Sequence, residues 1–316
     1  MRRRAALSTV ALASLALGAR RSVAQTPLPR LQVVGPTAES LTNLYYAIKT
    51  GMFARAGVDV SFTSTSSGSA ATTAVITGSY DVALTSLLPL LSAHLRSIPV
   101  AIVAPAVINT ARNPFAQLQI AADAPYKTGA DLNGKTMAVP AIGDMNTLGT
   151  KAWVEKNGGD WRSLKFVEIP NVAIDTALGA HRVDAGIVQQ PQLDASVAAG
   201  VTKTLGYAYG AIAPLMMSVV YIARTDWADQ HADLVRTYAR VLADATTYVN
   251  THPTETAPYV SELTKIDLAI CLKMHRTING TTLDAPLFQP VIDAAARYEQ
   301  IAHAFPARDI IWSGTK

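Results

Sequence analysis

Four stretches of the chain gather small polar residues and glycines that can donate hydrogen bonds without carrying charge. The first is Thr37-Ala38-Glu39-Ser40-Leu41-Thr42-Asn43, which leads to Tyr45 and Tyr46. There Ser40 and Thr42 can donate to ligand oxygens and a tyrosine can wall a pocket; capping of a helix by either hydroxyl is the competing use. The second is Ser64-Thr65-Ser66-Ser67-Gly68-Ser69-Ala70, a hydroxyl-rich turn running into a helix start. Free N–H groups and the positive dipole end attract anions there, and Gly68 lets a ligand approach the backbone; a plain polar loop is the alternative. The third is Thr85-Ser86-Leu87, where Ser86 is either a second donor or a helix cap. The fourth is Gly143-Asp144-Met145-Asn146-Thr147, where Asp144 reads as a cap and Asn146 or Thr147 as a donor. Gln189-Gln190 adds amides, with Met217 or Ser218 contributing from further along the chain.

This is binding chemistry rather than catalysis. None of the four stretches contains Lys or Arg, so an anion held there depends on neutral donors and helix N-termini. Arg112 is the nearest basic candidate, and beside Asn109 and Asn113 it reads as a solvated loop residue. Glu39 opposes an anion unless it points away or is paired; lining the pocket, it favours an amine or a protonated heterocycle. No G-x-S-x-G elbow, H-E-x-x-H pair or phosphate-loop lysine motif is present. Cys271 and His275 at i, i+4 share a face of an expected helix, but without partner ligands they read as a buried thiol and a surface imidazole. No metal and no cofactor is expected.

Arg2-Arg3-Arg4, an uncharged run from Ala5 to Ala19, and Ser22-Val23-Ala24 ahead of Gln25 form a secretory signal over residues 1–24, for the general or the twin-arginine route. Its apolar run is shorter than the roughly 20 residues of a membrane span. The five arginines of this leader set the sign of the net charge: without them 22 basic residues stand against 23 acidic ones. A mature chain so balanced is not expected to bind nucleic acid. One cysteine in 316 residues excludes a disulfide scaffold and suits export, here to a bacterial periplasm. No lipoprotein anchor is expected, because no cysteine follows the leader.

Short apolar runs alternate with helical patterns along the rest of the chain. Strands are expected at Leu31–Gly35, Val58–Phe62, Asp81–Thr85 and Val100–Ala106, with helices at Asn43–Gly51, Ala70–Thr77 and Leu87–Leu95. The pattern recurs with strands at Thr136–Pro140, Leu164–Ile169 and Val183–Val188 and helices at Thr147–Lys156 and Ala173–Ala180. Leu178-Gly179-Ala180-His181-Arg182-Val183-Asp184-Ala185 repeats the order helix, cap, Asp, strand seen at Val75 to Ala83. Two α/β lobes sharing a cleft at the carboxyl ends of their strands follow. After strand Val219–Ala223, helices are expected at Asp226–Asn250, Thr256–Thr264, Leu268–Thr277 and Leu287–Phe305, packed back on the first lobe.

Tyr45-Tyr46-Ala47-Ile48-Lys49-Thr50-Gly51-Met52-Phe53 with Ala56-Gly57-Val58-Asp59-Val60, Gly78-Ser79-Tyr80-Asp81, Ala130-Asp131-Leu132-Asn133-Gly134-Lys135, and Val183-Asp184-Ala185 with Pro191 together resemble the periplasmic solute-binding proteins of ABC importers. The subgroup is the nitrate, sulfonate, taurine and pyrimidine-precursor (thiamine-precursor) type. His181 stands where that family has glycine, and histidine tolerates a left-handed cap better than most residues. The resemblance implies an α/β, type II periplasmic binding-protein-like fold, with residues 30–118 plus 215–316 as lobe I and 119–214 as lobe II. It implies two chain crossings as a hinge, closure over a small solute, and a monomer read by an inner-membrane ABC permease. The first-choice ligand is a sulfonate, taurine or nitrate. The second is a nitrogenous heterocycle such as a pyrimidine precursor, and a secreted enzyme on this fold is the alternative of another class. Cysteine-rich pyrimidine-precursor synthases of the broad family are a poor match for one cysteine and a leader. Replacing Ser67 and Ser86 together by alanine is expected to weaken binding.

Overall fold

The computed structural model describes residues 27–111, 114, 116–190 and 192–315. The leader, Arg112, Asn113 and Pro191 lie outside the described residues. The chain opens with β1 (Arg30–Pro36), α1 (Thr42–Lys49), α2 (Met52–Arg55), β2 (Asp59–Thr65), α3 (Gly68–Ile76), β3 (Val82–Ser86), α4 (Leu87–Leu95) and β4 (Val100–Pro105). It crosses through β5 (Val107–Thr110) into β6 (Ala116–Ala121), β7 (Thr136–Val139), α5 (Met145–Lys156), β8 (Lys165–Glu168), α6 (Asn171–Gly179), β9 (Ala185–Gln189), α7 (Gln192–Ala198) and β10 (Thr202–Gly206). It returns through β11 (Leu215–Met217) to β12 (Val219–Arg224), and ends with α8 (Thr225–Gln230), α9 (Ala232–Thr251), α10 (Pro253–Thr264), α11 (Leu268–Cys271), β13 (Ile278–Asn279) and α12 (Gln289–Arg297).

Two five-stranded sheets result, ordered β2-β1-β3-β12-β4 and β10-β6-β9-β7-β8. A small third sheet, β11-β5-β13, joins the two crossing segments side by side. The α/β alternation read from the sequence is therefore present in both halves. β6 begins at Ala116 and pairs with β9 and β10, so the chain enters the second sheet ahead of residue 119.

The repeat has a physical basis. Gly78 and His181 both occupy the left-handed region, at φ 75° and 53°, and each reverses the chain after a helix. Three residues later, Asp81 and Asp184 do the same job in their own sheets. Asp81 Oδ2 accepts the Gln32 N–H at 2.7 Å and Asp184 Oδ2 accepts the Thr136 N–H at 2.9 Å, each tying the third strand to the first. These aspartates are structural staples.

The tail differs from expectation in three places. The helix expected at Asp226–Asn250 breaks at His231, whose ring stacks on Trp227 at 4.7 Å. The helix expected at Leu268–Thr277 stops at Cys271, and the chain beyond it joins the hinge sheet at Ile278 and Asn279, opposite Ile108 and Val107. Cys271 and His275 thus do not share a helical face. The last helix is nine residues long, and it does not rest on the first lobe alone. Tyr298 Oη donates to Glu155 of α5 at 2.6 Å, Lys151 Nζ to the Tyr298 carbonyl at 3.1 Å, and Arg162 pairs with Glu299 at 2.8 Å. A continuous apolar core, including Leu90, Phe288, Ile292, Leu148 and Trp153, runs beneath this contact and binds the two halves together.

Candidate functional site

The register places the candidate residues. In the first sheet Pro36 lies beside Thr65, Val34 beside Ala83, and across antiparallel β12 Ser86 faces Val219 and Pro105 faces Val220. The carboxyl ends of β1, β2, β3 and β4 therefore share one edge. In the second sheet Val139 pairs with Glu168, Ala138 with Gly186, and Gln189 with Ala116, so β7, β8 and β9 share an edge as well. Both crossings connect these edges: β4 leaves at Pro105 and β6 starts at Ala116, while β10 leaves at Gly206 and β12 starts at Val219. The carboxyl ends of strands are the usual ligand position in open α/β sheets.

On the first-lobe wall three hydroxyls stand uncommitted. Ser40, Ser66 and Ser86 make no side-chain hydrogen bond among the described residues; Ser66 is exposed and the other two are half-buried. Ser67 is spent as the cap of α3, its Oγ accepting the Ala70 N–H at 3.2 Å and its carbonyl the Ala71 N–H at 3.1 Å. The N–H groups of Gly68 and Ser69 are then the open donors of that helix start. Gly68 must be glycine for packing: a Cβ there would lie 2.9 Å from Thr85 Oγ1. Thr85 Oγ1 in turn donates to the Gly68 carbonyl at 3.0 Å, which seats α3 on the end of β3. Thr42 is buried, its hydroxyl donated to the Glu39 carbonyl at 2.6 Å. Tyr45 faces away from the strand ends, its ring 5.3 Å from Lys49 Nζ. Burial and a hydrogen bond to Glu262 of α10 push its hydroxyl pKa up. Tyr46 stacks on Tyr248 at 5.0 Å. The tyrosines join α1 to the tail helices.

On the second-lobe wall Asn146 and Thr147 are buried in a local network. Asp144 Oδ1 accepts the Thr147 N–H at 2.9 Å and Oδ2 accepts from Asn146 Nδ2 at 2.8 Å, while Tyr209 Oη donates to Asn146 Oδ1 at 2.6 Å. These side chains hold the loop 141–144 in shape. Burial pushes the Asp144 carboxyl up to about 6, with the Thr147 and Asn146 hydrogen bonds offsetting only part of it. Unfolded, the same group titrates near the ordinary 3.8. Between these values the folded protein holds the extra proton, so stability falls as pH rises through that window. Asp144→Asn keeps a capping oxygen and is expected to flatten the slope. Melting temperature across pH 4 to 7, a range of about three units around this window, checks it; an unchanged slope places the effect elsewhere.

Gln189 Oε1 accepts from Asn171 Nδ2 at 3.2 Å. The amide of Gln190 is buried beside the Asp194 carboxylate without a well-formed hydrogen bond. Asp194, in the first turn of α7, reaches across to the tail: His275 Nδ1 lies 3.0 Å from its Oδ2. Met217 is fully buried, packed near Gly280 in the hinge sheet, and presents nothing to the cleft. Its neighbour Ser218 is bonded by Asn109 Nδ2, and the buried Asn109 Oδ1 has no partner.

The pairing of Glu39 is absent from any local pattern. Its Oε1 accepts from Arg276 Nε at 2.7 Å and its Oε2 from the Thr277 N–H at 2.8 Å. The two side chains are 9% and 12% exposed, so the acid beside Ser40 is neutralised in place. The signal for Arg276 lay 237 residues away in sequence. Cys271 is buried and burial raises its thiol pKa. Among the described residues no group of three or more His, Cys, Asp or Glu is placed to hold a metal ion, and no helix is long and apolar enough to cross a membrane.

The model of a family described as NMT1/THI5 like matches residues 39–256. No curated protein matches the sequence. Among solved structures, the periplasmic aliphatic sulphonate binding protein SsuA from Escherichia coli superposes with a TM-score of 0.75 at 16% identity, covering 91% of this chain and 98% of that one. The periplasmic nitrate-binding protein NrtA from Synechocystis PCC 6803 gives 0.72 at 14%, covering 90% and 85%. A Candida albicans protein described as having the generic periplasmic binding protein fold gives 0.71 at 13%, covering 90% and 96%. The chain has that fold.

Proposed function

We propose a function from the premise that the chain belongs to the NMT1/THI5-like family: it is the periplasmic solute-binding component of an ABC importer. It captures a small organic anion of the sulfonate, taurine or nitrate type. Its two lobes, the second beginning with β6 at Ala116 rather than at residue 119, close about the crossing strands, and the closed monomer delivers the solute to an inner-membrane permease. Residues 1–24 are the secretory signal removed on export, and the protein turns nothing over.

One observation carries the choice of ligand. Glu39, the acid in the first-lobe binding loops, is held by Arg276 and the Thr277 N–H. What remains at the strand ends is a set of neutral donors: Ser40, Ser66, Ser86 and the start of α3. Such donors suit an oxyanion, which needs several short hydrogen bonds more than it needs a formal positive charge. From the opposite wall Gln189 and Gln190 supply amides, and the buried amide of Gln190 gains a partner when a solute arrives. The second reading, a nitrogenous heterocycle, is favoured by that amide, since a carboxamide pairs with adjacent ring donors and acceptors.

A thermal-shift panel on the mature protein, from Gln25 onward, tests both. It contains alkyl and aryl sulfonates, taurine, nitrate, carboxylates, pyrimidines and polyamines. A solute at about 100 times its dissociation constant is expected to add about 2.7 kcal/mol of stability. An anionic hit supports the reading; a heterocyclic hit promotes the second; a polyamine hit means the Glu39–Arg276 pair opens, and refutes both. Chemical change of the bound solute during incubation would move the protein into the enzyme class.

A further inference from the structure

A cavity of about 870 Å³ lies against β4 of the first lobe, and none of Ser40, Ser66 and Ser86 lines it. It lies between α9 and the turns at 281–285 and 308–313, beside β4. Its volume falls in the range of small-molecule sites, roughly 300–1,000 Å³.

Its walls are of two kinds. Val103, Leu283, Ile311 and Trp312 make one side apolar, and Ala239 and Ala243 give α9 a shallow floor there. Arg236 and Arg240, one helical turn apart on α9, and Arg308 from the opposite wall supply three guanidinium groups, against one lining carboxylate, Asp309. Arg236 is committed, to Asp233 at 2.8 Å and the Gly314 carbonyl at 3.3 Å. The other two are not. Arg240 stands 3.9 Å from Asp244 and Arg308 stands 3.8 Å from Asp309, and neither pair makes a hydrogen bond.

We infer that this cavity is a second binding site, for an amphipathic organic anion: a sulfonate, carboxylate or phosphate head on a compact apolar body. Two planar donors without hydrogen-bond partners face one space, and guanidinium groups match such oxyanions in geometry. An inorganic anion leaves the apolar wall and most of the volume unfilled. An uncharged apolar molecule covers the guanidinium groups without pairing them, at a desolvation cost. The anion with an apolar body satisfies both walls. The inference is independent of what the cleft binds.

The probe is 8-anilinonaphthalene-1-sulfonate, which fluoresces in an apolar site, titrated into the mature protein. Saturable binding of one molecule at this site is expected, weakening with added salt. The double variant Arg240→Gln/Arg308→Gln is expected to lose about tenfold or more in affinity, since charge-assisted hydrogen bonds are the strong ones. Ser66→Ala/Ser86→Ala is expected to leave this site's affinity unchanged, which separates it from capture in the cleft. N-phenyl-1-naphthylamine, the same body without the sulfonate, is expected to bind more weakly. Both arginines lie on the surface, and circular dichroism confirms that the variant is folded. The inference is overturned by the absence of saturable binding, by full affinity in the arginine variant, by loss only in the serine variant, or by equal binding of the neutral probe.

Discussion

Glu39→Ala is expected to destabilise the protein by about 3–5 kcal/mol, because it leaves a buried guanidinium without its counter-charge. Arg276 Nε loses its 2.7 Å contact and the Thr277 N–H loses its acceptor at 2.8 Å. Bonds from Arg276 Nη1 to the Pro253 carbonyl at 2.7 Å and to Thr256 Oγ1 at 3.5 Å remain, which pulls the loss towards the lower end of that range. Glu39→Gln keeps the shape and one acceptor and is expected to fall between alanine and wild type. Joint replacement, Glu39→Leu with Arg276→Met, is expected to cost far less than either single change, because the desolvation of both charges disappears together. Urea unfolding midpoints with unchanged slopes are the readout. A loss below about 1 kcal/mol would show that water screens the pair as it does on a surface.

The second large effect is on affinity rather than stability. With the cleft solute identified, Ser66→Ala together with Ser86→Ala is expected to weaken its binding by about 1–3 kcal/mol for each donor lost on closure. The melting temperature is expected to stay where it was, since neither hydroxyl makes a hydrogen bond in the described structure. Ser67→Ala behaves differently. It removes the acceptor for the Ala70 N–H, and about 1 kcal/mol of stability goes with the cap. The double variant of Ser67 and Ser86 therefore mixes a folding effect with a binding one, and the Ser66–Ser86 pair separates them. Unchanged affinity in that pair would take both hydroxyls out of the site while leaving the fold and the family as they are.

How much of this was legible beforehand differs by residue. Leu87–Leu95 was readable to its ends, because a leucine-rich run after Ser86 buries Leu87, Leu88, Leu90 and Leu91 against one core. The left-handed turn at His181 was readable from its likeness to Gly78. Of the candidate donors, Ser40, Ser66 and Ser86 stand open at strand ends, whereas Thr42, Asn146 and Thr147 are consumed by their own neighbours and Met217 by the core. A capping residue and a ligand donor have the same sequence signature, a hydroxyl or amide before a helix. Which role it takes depends on whether a nearby N–H or carbonyl reaches it first.

By itself the amino-acid sequence determined the alternation of strands and helices, the repetition of that unit in two lobes, and the position of the candidate loops at strand ends. Those features rest on periodicity, caps and turns, which act over a few residues. Tertiary structure alone decided that Glu39 is neutralised by Arg276, that Asp194 meets His275 across 81 residues of chain, and that Tyr298 ties the tail to Glu155 of the second lobe. It also ended the helix expected over 268–277 at Cys271 and placed residues 278–279 in the hinge sheet. Charged partners so far apart leave no local trace, because either side chain alone reads as an ordinary solvated group. Only when the tertiary fold has set the backbone are Glu39 and Arg276 brought together and buried as a pair.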